Sequence, residues 1–281
     1  MIQRITVLGA GTMGHGIAHA AAISGYETTM YDVAQAALER GRAAIEVILD
    51  KGVERGKVSA GDAASARARL GTTTSVPEAT READFIIEAA PERMDLKLAL
   101  LADVEKAAPA HAVIASNTSS LSVTEMAAAL SNAGRLGGMH FFNPVHKMKL
   151  VEIVRALETS DAALHAIQEV AHRMGKETVV VADSAGFVTS RVNAMIGNEA
   201  FYMLQEAVAS ARDIDKALKL GLNHPMGPFE LVDLVGLDTR LSVLEFLHKR
   251  LGEKYRPCPL LVQLVRAGRL GRKVGRGVYD Y

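Results

Sequence analysis

The sequence predicts an α/β protein with an N-terminal Rossmann-type doubly wound sheet followed by an all-helical C-terminal domain. Three observations carry this expectation. A short apolar run at residues 5–8 opens directly into Gly9-Ala10-Gly11-Thr12-Met13-Gly14 and then a helical stretch reaching residue 24. Further β-rich runs alternate with helical segments as far as residue 182, the pattern of a parallel sheet with crossover helices. Beyond Ala182-Asp183-Ser184 the strands stop, and residues 186–269 keep helical spacing, broken at 221–228 and 256–259. The expected boundary therefore leaves residues 1–183 as a nucleotide-binding domain and 184–281 as a helical one.

A chain of 281 residues is long enough for two such domains. With 49% hydrophobic and 23% charged residues it is neither disordered nor collagenous. Lys plus Arg number 32 and Asp plus Glu also 32, so no net field draws the chain to nucleic acid or to an anionic membrane surface. The basic positions Arg266, Arg269, Arg272, Lys273 and Arg276 form too short a tail, with too few aromatics, for nucleic acid. No apolar run approaches the roughly 18 residues of a membrane helix, and the first residues lead into a strand instead of a signal peptide. The single cysteine, Cys258, allows no intrachain disulfide. The expectation is a cytoplasmic protein without nucleic-acid or membrane partners.

In chain order, the first turn is the most specific element. Gly9 permits a tight turn, Gly11 lets the backbone approach a pyrophosphate, and Gly14 lets the helix pack close to the strand. Free N–H groups at the helix start then hold the anion. A second strand at 28–31 ends in Asp32, 21 residues after Gly11. An acid there suits a ribose 2′-hydroxyl and repels a 2′-phosphate. No arginine follows at 33–35, which favours NAD over NADP. The stretch 34–69 exceeds one crossover and reads as two helices projecting from the sheet.

Strands are expected at 85–88, 113–116 and 178–182, with helices at 94–107 and 164–174. Ser116-Asn117-Thr118-Ser119-Ser120 closes one strand on the side where doubly wound sheets bind ligands, so its hydroxyls and amide can face substrate or nicotinamide. The same residues can equally cap a helix starting near Leu121, and composition does not separate the two. Gly138-Met139-His140-Phe141-Phe142-Asn143-Pro144 precedes Lys149-Leu150-Val151-Glu152-Ile153. A short turn at Asn143-Pro144 would bring a histidine on one strand to a carboxylate on the next. Such a pair can act as the base a dehydrogenase needs, or only stabilise the fold. His15 and His19 have the four-residue spacing of metal ligands, but Gly16 stands where a metalloprotease has Glu and no third ligand is evident, so no metal is expected.

The glycine loop with Asp32, residues 116–121, His140 to Pro144, Lys149 to Glu152, Pro225-Met226-Gly227-Pro228-Phe229-Glu230-Leu231 and the tail 271–281 occur in one order. Together they resemble the 3-hydroxyacyl-CoA dehydrogenase family over nearly the whole chain, in the short monofunctional form that includes bacterial 3-hydroxybutyryl-CoA dehydrogenases. The resemblance implies NAD-dependent oxidation of an (S)-3-hydroxyacyl-CoA to the 3-ketoacyl-CoA and the reverse, within fatty acid and butanoate metabolism. It implies His140 as general base, Glu152 as its partner and Ser119 as a hydrogen-bond partner of the reacting oxygen. Glu92, Lys97, Asn143 and Lys273 would contact NAD. The helices near 34–69 would hold coenzyme A through Lys51, Arg55 and Lys57, although Ile48 replaces a serine the family can use. The helical domain would form a homodimer and leave the active site in the cleft between domains. Ser190 replaces an asparagine that helps bind the substrate carbonyl, with Asn193, one helical turn on, as the other candidate donor. Two rival readings are a sugar-acid dehydrogenase such as L-gulonate 3-dehydrogenase and a non-catalytic NAD-binding protein. Phe141-Phe142 argues against the first, and the presence of both His140 and Glu152 against the second.

Overall fold

The computed structural model describes residues 1–281. Its first unit, residues 1–184, is built on β1 (Arg4–Leu8), α1 (Thr12–Ile23), β2 (Glu27–Tyr31), α2 (Gln35–Glu54), α3 (Ala60–Ala68) and β3 (Leu70–Thr73). There follow α4 (Val76–Thr80), β4 (Phe85–Glu88), α5 (Met94–Ala107), β5 (Val113–Ser116), α6 (Val123–Ala128), β6 (Leu136–Phe141), β7 (Leu150–Arg155), α7 (Asp161–Arg173) and β8 (Glu177–Ala182). The eight strands form one sheet in the order β3-β2-β1-β4-β5-β6-β7-β8. All neighbours are parallel except β6 and β7.

The strand order reverses between β1 and β4, which leaves a crevice at their carboxyl ends, the place where doubly wound sheets take ligands. Because helices cover the sheet, central strands are buried on both faces and read as unbroken apolar runs, as in Phe85-Ile86-Ile87. Val7, Ile87, Ala115, Met139 and Ile153 belong to one continuous core. The strand β3 was not expected: Leu70-Gly71-Thr72-Thr73 is short and has only one large apolar residue, too weak a pattern to read.

Three details differ from the expectation. The turn between β6 and β7 is not confined to Asn143-Pro144; residues 142–149 form the connection, with a cis peptide at Asn143-Pro144. The helix after the Ser/Thr-rich segment starts at Val123, not near Leu121, because Ser122 is its cap and accepts from the Glu125 N–H. The helix pair at 34–69 is anchored to the core along much of its length by Leu38, Ile45, Leu49, Ala63 and Ala66. Gly41 allows α2 to approach the glycine loop, since a Cβ there would stand 2.9 Å from the Ala10 carbonyl oxygen.

The second unit, residues 185–281, has no strands of its own. It consists of α8 (Thr189–Gln205), α9 (Ala211–Gly221), α10 (Pro228–Val235), α11 (Leu237–Leu251) and α12 (Pro259–Arg266), followed by an irregular tail. Phe201 and Phe229 meet edge-to-face, with centroids 5.1 Å apart, inside a core that also holds Leu237, Leu244, Leu247 and Leu261. Asp215 and Asp233 fix the tail: Asp215 accepts from the Tyr279 hydroxyl, and Asp233 from the N–H groups of Val278 and Tyr279. Cys258 is fully buried, and its N–H donates to Asn198 Oδ1 at 2.9 Å.

Candidate active site

The glycine loop has the geometry a dinucleotide requires. Gly9 has φ of +108°, and a Cβ there would lie 2.6 Å from the Ala89 carbonyl oxygen; one on Gly14 would lie 1.8 Å from that of Gly9. Both glycines are thus demanded by the fold. Gly11 is different, because a Cβ there would meet nothing within 4 Å. Its bare, exposed backbone and that of Thr12 form the outer surface of the turn, while Ala10 and Gly14 are buried and Met13 packs on the core. No side chain caps the N-terminus of α1, so its first N–H groups remain available to an anion. Asp32 accepts from the Ala10 N–H at 2.9 Å and the Ala34 N–H at 3.0 Å, which holds its carboxylate at the end of β2 beside the loop. These residues fit NAD.

Beside that loop, β4 ends in Glu88, which is wholly buried. Its carboxylate accepts from Lys97 Nζ and the Ala90 N–H, both at 2.6 Å, and from the Ser116 hydroxyl at 2.5 Å. This fixes the placement of Lys97, for which the family resemblance implies a contact with NAD. Its side chain is 1% exposed, and its charge is taken by Glu88, with Glu92 3.6 Å away. Glu92 in turn gathers the loop 118–120, accepting from the Thr118 hydroxyl and from the N–H and hydroxyl groups of Ser119 and Ser120. Burial opposes its charge, but the Thr118 hydrogen bond, Lys97, the Ser119 N–H and the Ser120 hydroxyl outweigh it and hold the carboxyl below its ordinary range. Asn117 joins this loop to β6, its Oδ1 accepting from the Phe141 N–H at 2.9 Å.

Antiparallel register sets His140 directly opposite Glu152. Both are buried, and His140 Nδ1 lies 2.8 Å from Glu152 Oε2. A carboxylate can only accept there, so Nδ1 carries the proton and the lone pair of the neutral ring resides on Nε2. The Phe142 ring lies against the imidazole at 4.6 Å between centroids. Asn143 is exposed immediately after. Lys51, Arg55 and Lys57 are exposed at the end of α2 and the turn after it.

In the second unit Ser190 and Asn193 occupy the first turns of α8, both half-buried. Lys273 donates to both oxygens of Asp238 at 2.6 Å. No three His, Cys, Asp or Glu residues are grouped to hold a metal ion. The reading of the sequence missed Glu88, whose signal was a lone acid closing an otherwise apolar strand, and the setting of His19, buried behind the loop with no partner on either ring nitrogen.

Fold and site define a dinucleotide-dependent oxidoreductase carrying an additional helical unit. The chain matches the NAD-binding domain of 3-hydroxyacyl-CoA dehydrogenase over residues 4–184 and the C-terminal domain over residues 186–281. It is 46% identical to a probable 3-hydroxybutyryl-CoA dehydrogenase of Bacillus subtilis, covering 100% of this chain and 98% of the relative. It is 41% identical to 3-hydroxybutyryl-CoA dehydrogenase of Bradyrhizobium diazoefficiens, covering 100% and 96%. The crystal structure of (S)-3-hydroxybutyryl-CoA dehydrogenase from Ralstonia eutropha superimposes with a TM-score of 0.97 at 45% identity, covering 100% of this chain and 99% of that one. The chain belongs to the 3-hydroxyacyl-CoA dehydrogenase family, and it is an NAD-dependent enzyme.

Proposed function

We propose that this enzyme oxidises (S)-3-hydroxybutyryl-CoA to acetoacetyl-CoA and catalyses the reverse reduction, with the His140–Glu152 pair as its base. The observation that carries the proposal is the buried 2.8 Å contact between His140 Nδ1 and Glu152 Oε2, held in register by two strands. NAD, when bound, supplies the acceptor for the hydride that leaves the substrate carbon. His140 Nε2 takes the hydroxyl proton as the carbonyl forms, and Glu152 stabilises the resulting imidazolium while keeping the ring oriented. Ser119, whose hydroxyl donates to Glu92 in the free enzyme, turns that single proton to the reacting oxygen when substrate is bound, and Ser190 or Asn193 supplies a second donor. Asp32 takes the ribose 2′-hydroxyl, while Asn143, Glu92 and Lys273 add polar contacts to the cofactor. Lys51, Arg55 and Lys57 offer cations to coenzyme A.

The four-carbon preference rests on the names of the relatives at more than 40% identity. A rate panel of 3-ketoacyl-CoA substrates from four to sixteen carbons with NADH tests it, with L-gulonate and NAD alongside. Highest kcat/KM on acetoacetyl-CoA is expected. A maximum on long chains would overturn the chain-length assignment, and turnover of L-gulonate alone would overturn the substrate class. The cytoplasm is the compartment that suits the reading, and no helix is long and apolar enough to cross a membrane.

A further inference from the structure

The Ser/Thr-rich loop after β5 is held by the strand beside it. β4 and β5 are parallel neighbours, and their register sets Glu88 against Ser116. The Glu88 carbonyl oxygen accepts from the Asn117 N–H at 2.7 Å, and the Glu88 carboxylate takes the Ser116 hydroxyl proton at 2.5 Å. A serine hydroxyl has one proton to give and lone pairs with which to accept. Because the carboxylate takes that proton, the Ser116 oxygen is left as an acceptor, and it receives the Thr118 N–H at 3.3 Å. Glu88, Ser116 and Thr118 are all fully buried, so this order of donors and acceptors is set by the protein and not by solvent.

The other oxygen of the same carboxylate fixes Lys97. Its Nζ lies 2.6 Å from Glu88 Oε1, 3.2 Å from the Ala90 carbonyl oxygen and 3.6 Å from Glu92 Oε2. Glu92 is thereby held with Oε1 towards the loop, where five donors converge on that one atom. The Thr118 hydroxyl stands at 2.7 Å, the Ser119 N–H at 2.9 Å, the Ser120 N–H at 3.0 Å, the Ser120 hydroxyl at 3.1 Å and the Ser119 hydroxyl at 3.2 Å. A carboxylate oxygen has about two lone-pair sites, so the atom is overfilled. The Ser119 hydroxyl makes the longest of these contacts and is the one released at least cost.

We infer that Glu88 is a positioning residue for the reaction: through Ser116, and through Lys97 and Glu92, it orders the loop so that the Ser119 hydroxyl is free to turn to the reacting oxygen. The inference rests on the assignment of Ser119 as donor to that oxygen and goes beyond it, because Glu88 is buried at the end of β4 and acts only through other side chains. Removing its charge while keeping its shape reverses the order. In Glu88→Gln the Lys97 ammonium, which can only donate, claims the amide oxygen, and the amide NH2 is turned to Ser116. The Ser116 oxygen then accepts from that NH2 in competition with the Thr118 N–H, its own proton loses its acceptor, and the loop that carries Ser119 moves.

The test is a double-mutant cycle in the full-length enzyme, with Glu88→Gln, Ser116→Ala and Ser119→Ala made singly and with each of the first two combined with the third. Ser116→Ala leaves the Glu88–Lys97 pair intact, so it carries the test if Glu88→Gln does not fold. Reduction of acetoacetyl-CoA gives kcat, fluorescence titration gives Kd for NADH, and thermal unfolding confirms that each variant is folded at the assay temperature. Glu88→Gln and Ser116→Ala should each lower kcat roughly tenfold, the scale of a slightly misplaced hydrogen-bond donor, while Kd for NADH holds. In the Ser119→Ala background the same changes should cost less than about twofold, because the group they position is gone. An equal loss in both backgrounds, which a merely structural role would give, overturns the inference, as does unchanged kcat in both single variants. Weakened NADH binding with kcat unchanged overturns it as well and assigns Glu88 to the cofactor. If Ser119→Ala is itself slow and the losses are additive, Ser119 keeps its role and Glu88 alone is removed. Wild-type kcat in Ser119→Ala would instead overturn the assignment of Ser119, and the role of Glu88 with it.

Discussion

At the scale of single residues, the two buried histidines of the first unit differ because of what faces them. His140 has Glu152 at 2.8 Å, so its protonated form has a stabilising partner. His140→Gln should lower kcat by about two to four orders of magnitude with little change in NADH affinity, the usual range for loss of a general base. Stopped-flow turnover and fluorescence titration of NADH check this, and a variant retaining wild-type kcat would remove His140 from the reaction. Glu152→Gln should also slow turnover. His19 has only positive or neutral neighbours, and burial with their charges lowers its pKa from 6.5 to about 4. Below about pH 6.5 the unfolded chain therefore binds a proton that the folded chain refuses. Stability contributed by the neutral ring is lost as pH falls from 6.5 towards 4, reaching about 3 kcal/mol. Urea unfolding of wild type and His19→Leu across this range should show a shallower acid decline in the variant. Parallel declines would mean that His19 titrates normally.

At the scale of elements, the ends of strands carry the site and the helices support it. Glu88 at the end of β4 collects Lys97 from α5, Ser116 from β5 and the turn at Ala90, so one carboxylate ties three elements together. Lys97→Met leaves that buried charge without its cation and should destabilise the fold by about 3–5 kcal/mol. The double variant with Glu88→Gln should regain part of the loss. Equal Tm in wild type and Lys97→Met would show that the ion pair contributes nothing. On α8, Ser190 and Asn193 are rivals for one role. Replacing each by Ala and measuring kcat/KM with acetoacetyl-CoA should cost about 1–3 kcal/mol at one position only, with NADH binding unchanged. No loss at either position would leave the substrate carbonyl to Ser119 and His140.

At the scale of the whole molecule, the second unit presents apolar surface that its own core does not use. Val188 and Val192 on and before α8 are 52% and 54% exposed, and Leu220, Leu222, Leu234 and Val235 are exposed as well. Surface of this kind suits association with a second copy, the homodimer proposed from family resemblance. Sedimentation should therefore give a dimer, and Val192→Asp should shift it towards monomer. A monomeric wild type at micromolar concentration would refute the assignment.

How much was legible in the sequence follows from the range of the interactions involved. The glycine turn, Asp32 and the alternation of strands and helices are local patterns set by backbone sterics and periodicity, so the doubly wound fold and the use of NAD could be read directly. His140 and Glu152 were legible as candidates from their flanking strands, but their contact depends on the antiparallel register of β6 and β7, which the 142–149 connection does not encode in a recognisable turn. β3 was missed because its strand character comes from pairing with β2 and not from its own apolar content. The position of Lys97 was decided by tertiary structure alone, since the carboxylate that buries it comes from a different strand end. The same holds for His19, a histidine at metal-ligand spacing in the sequence. Only packing of the 142–149 connection on α1 left it buried, unpartnered and among cations, because electrostatic surroundings are summed over elements that are distant along the chain.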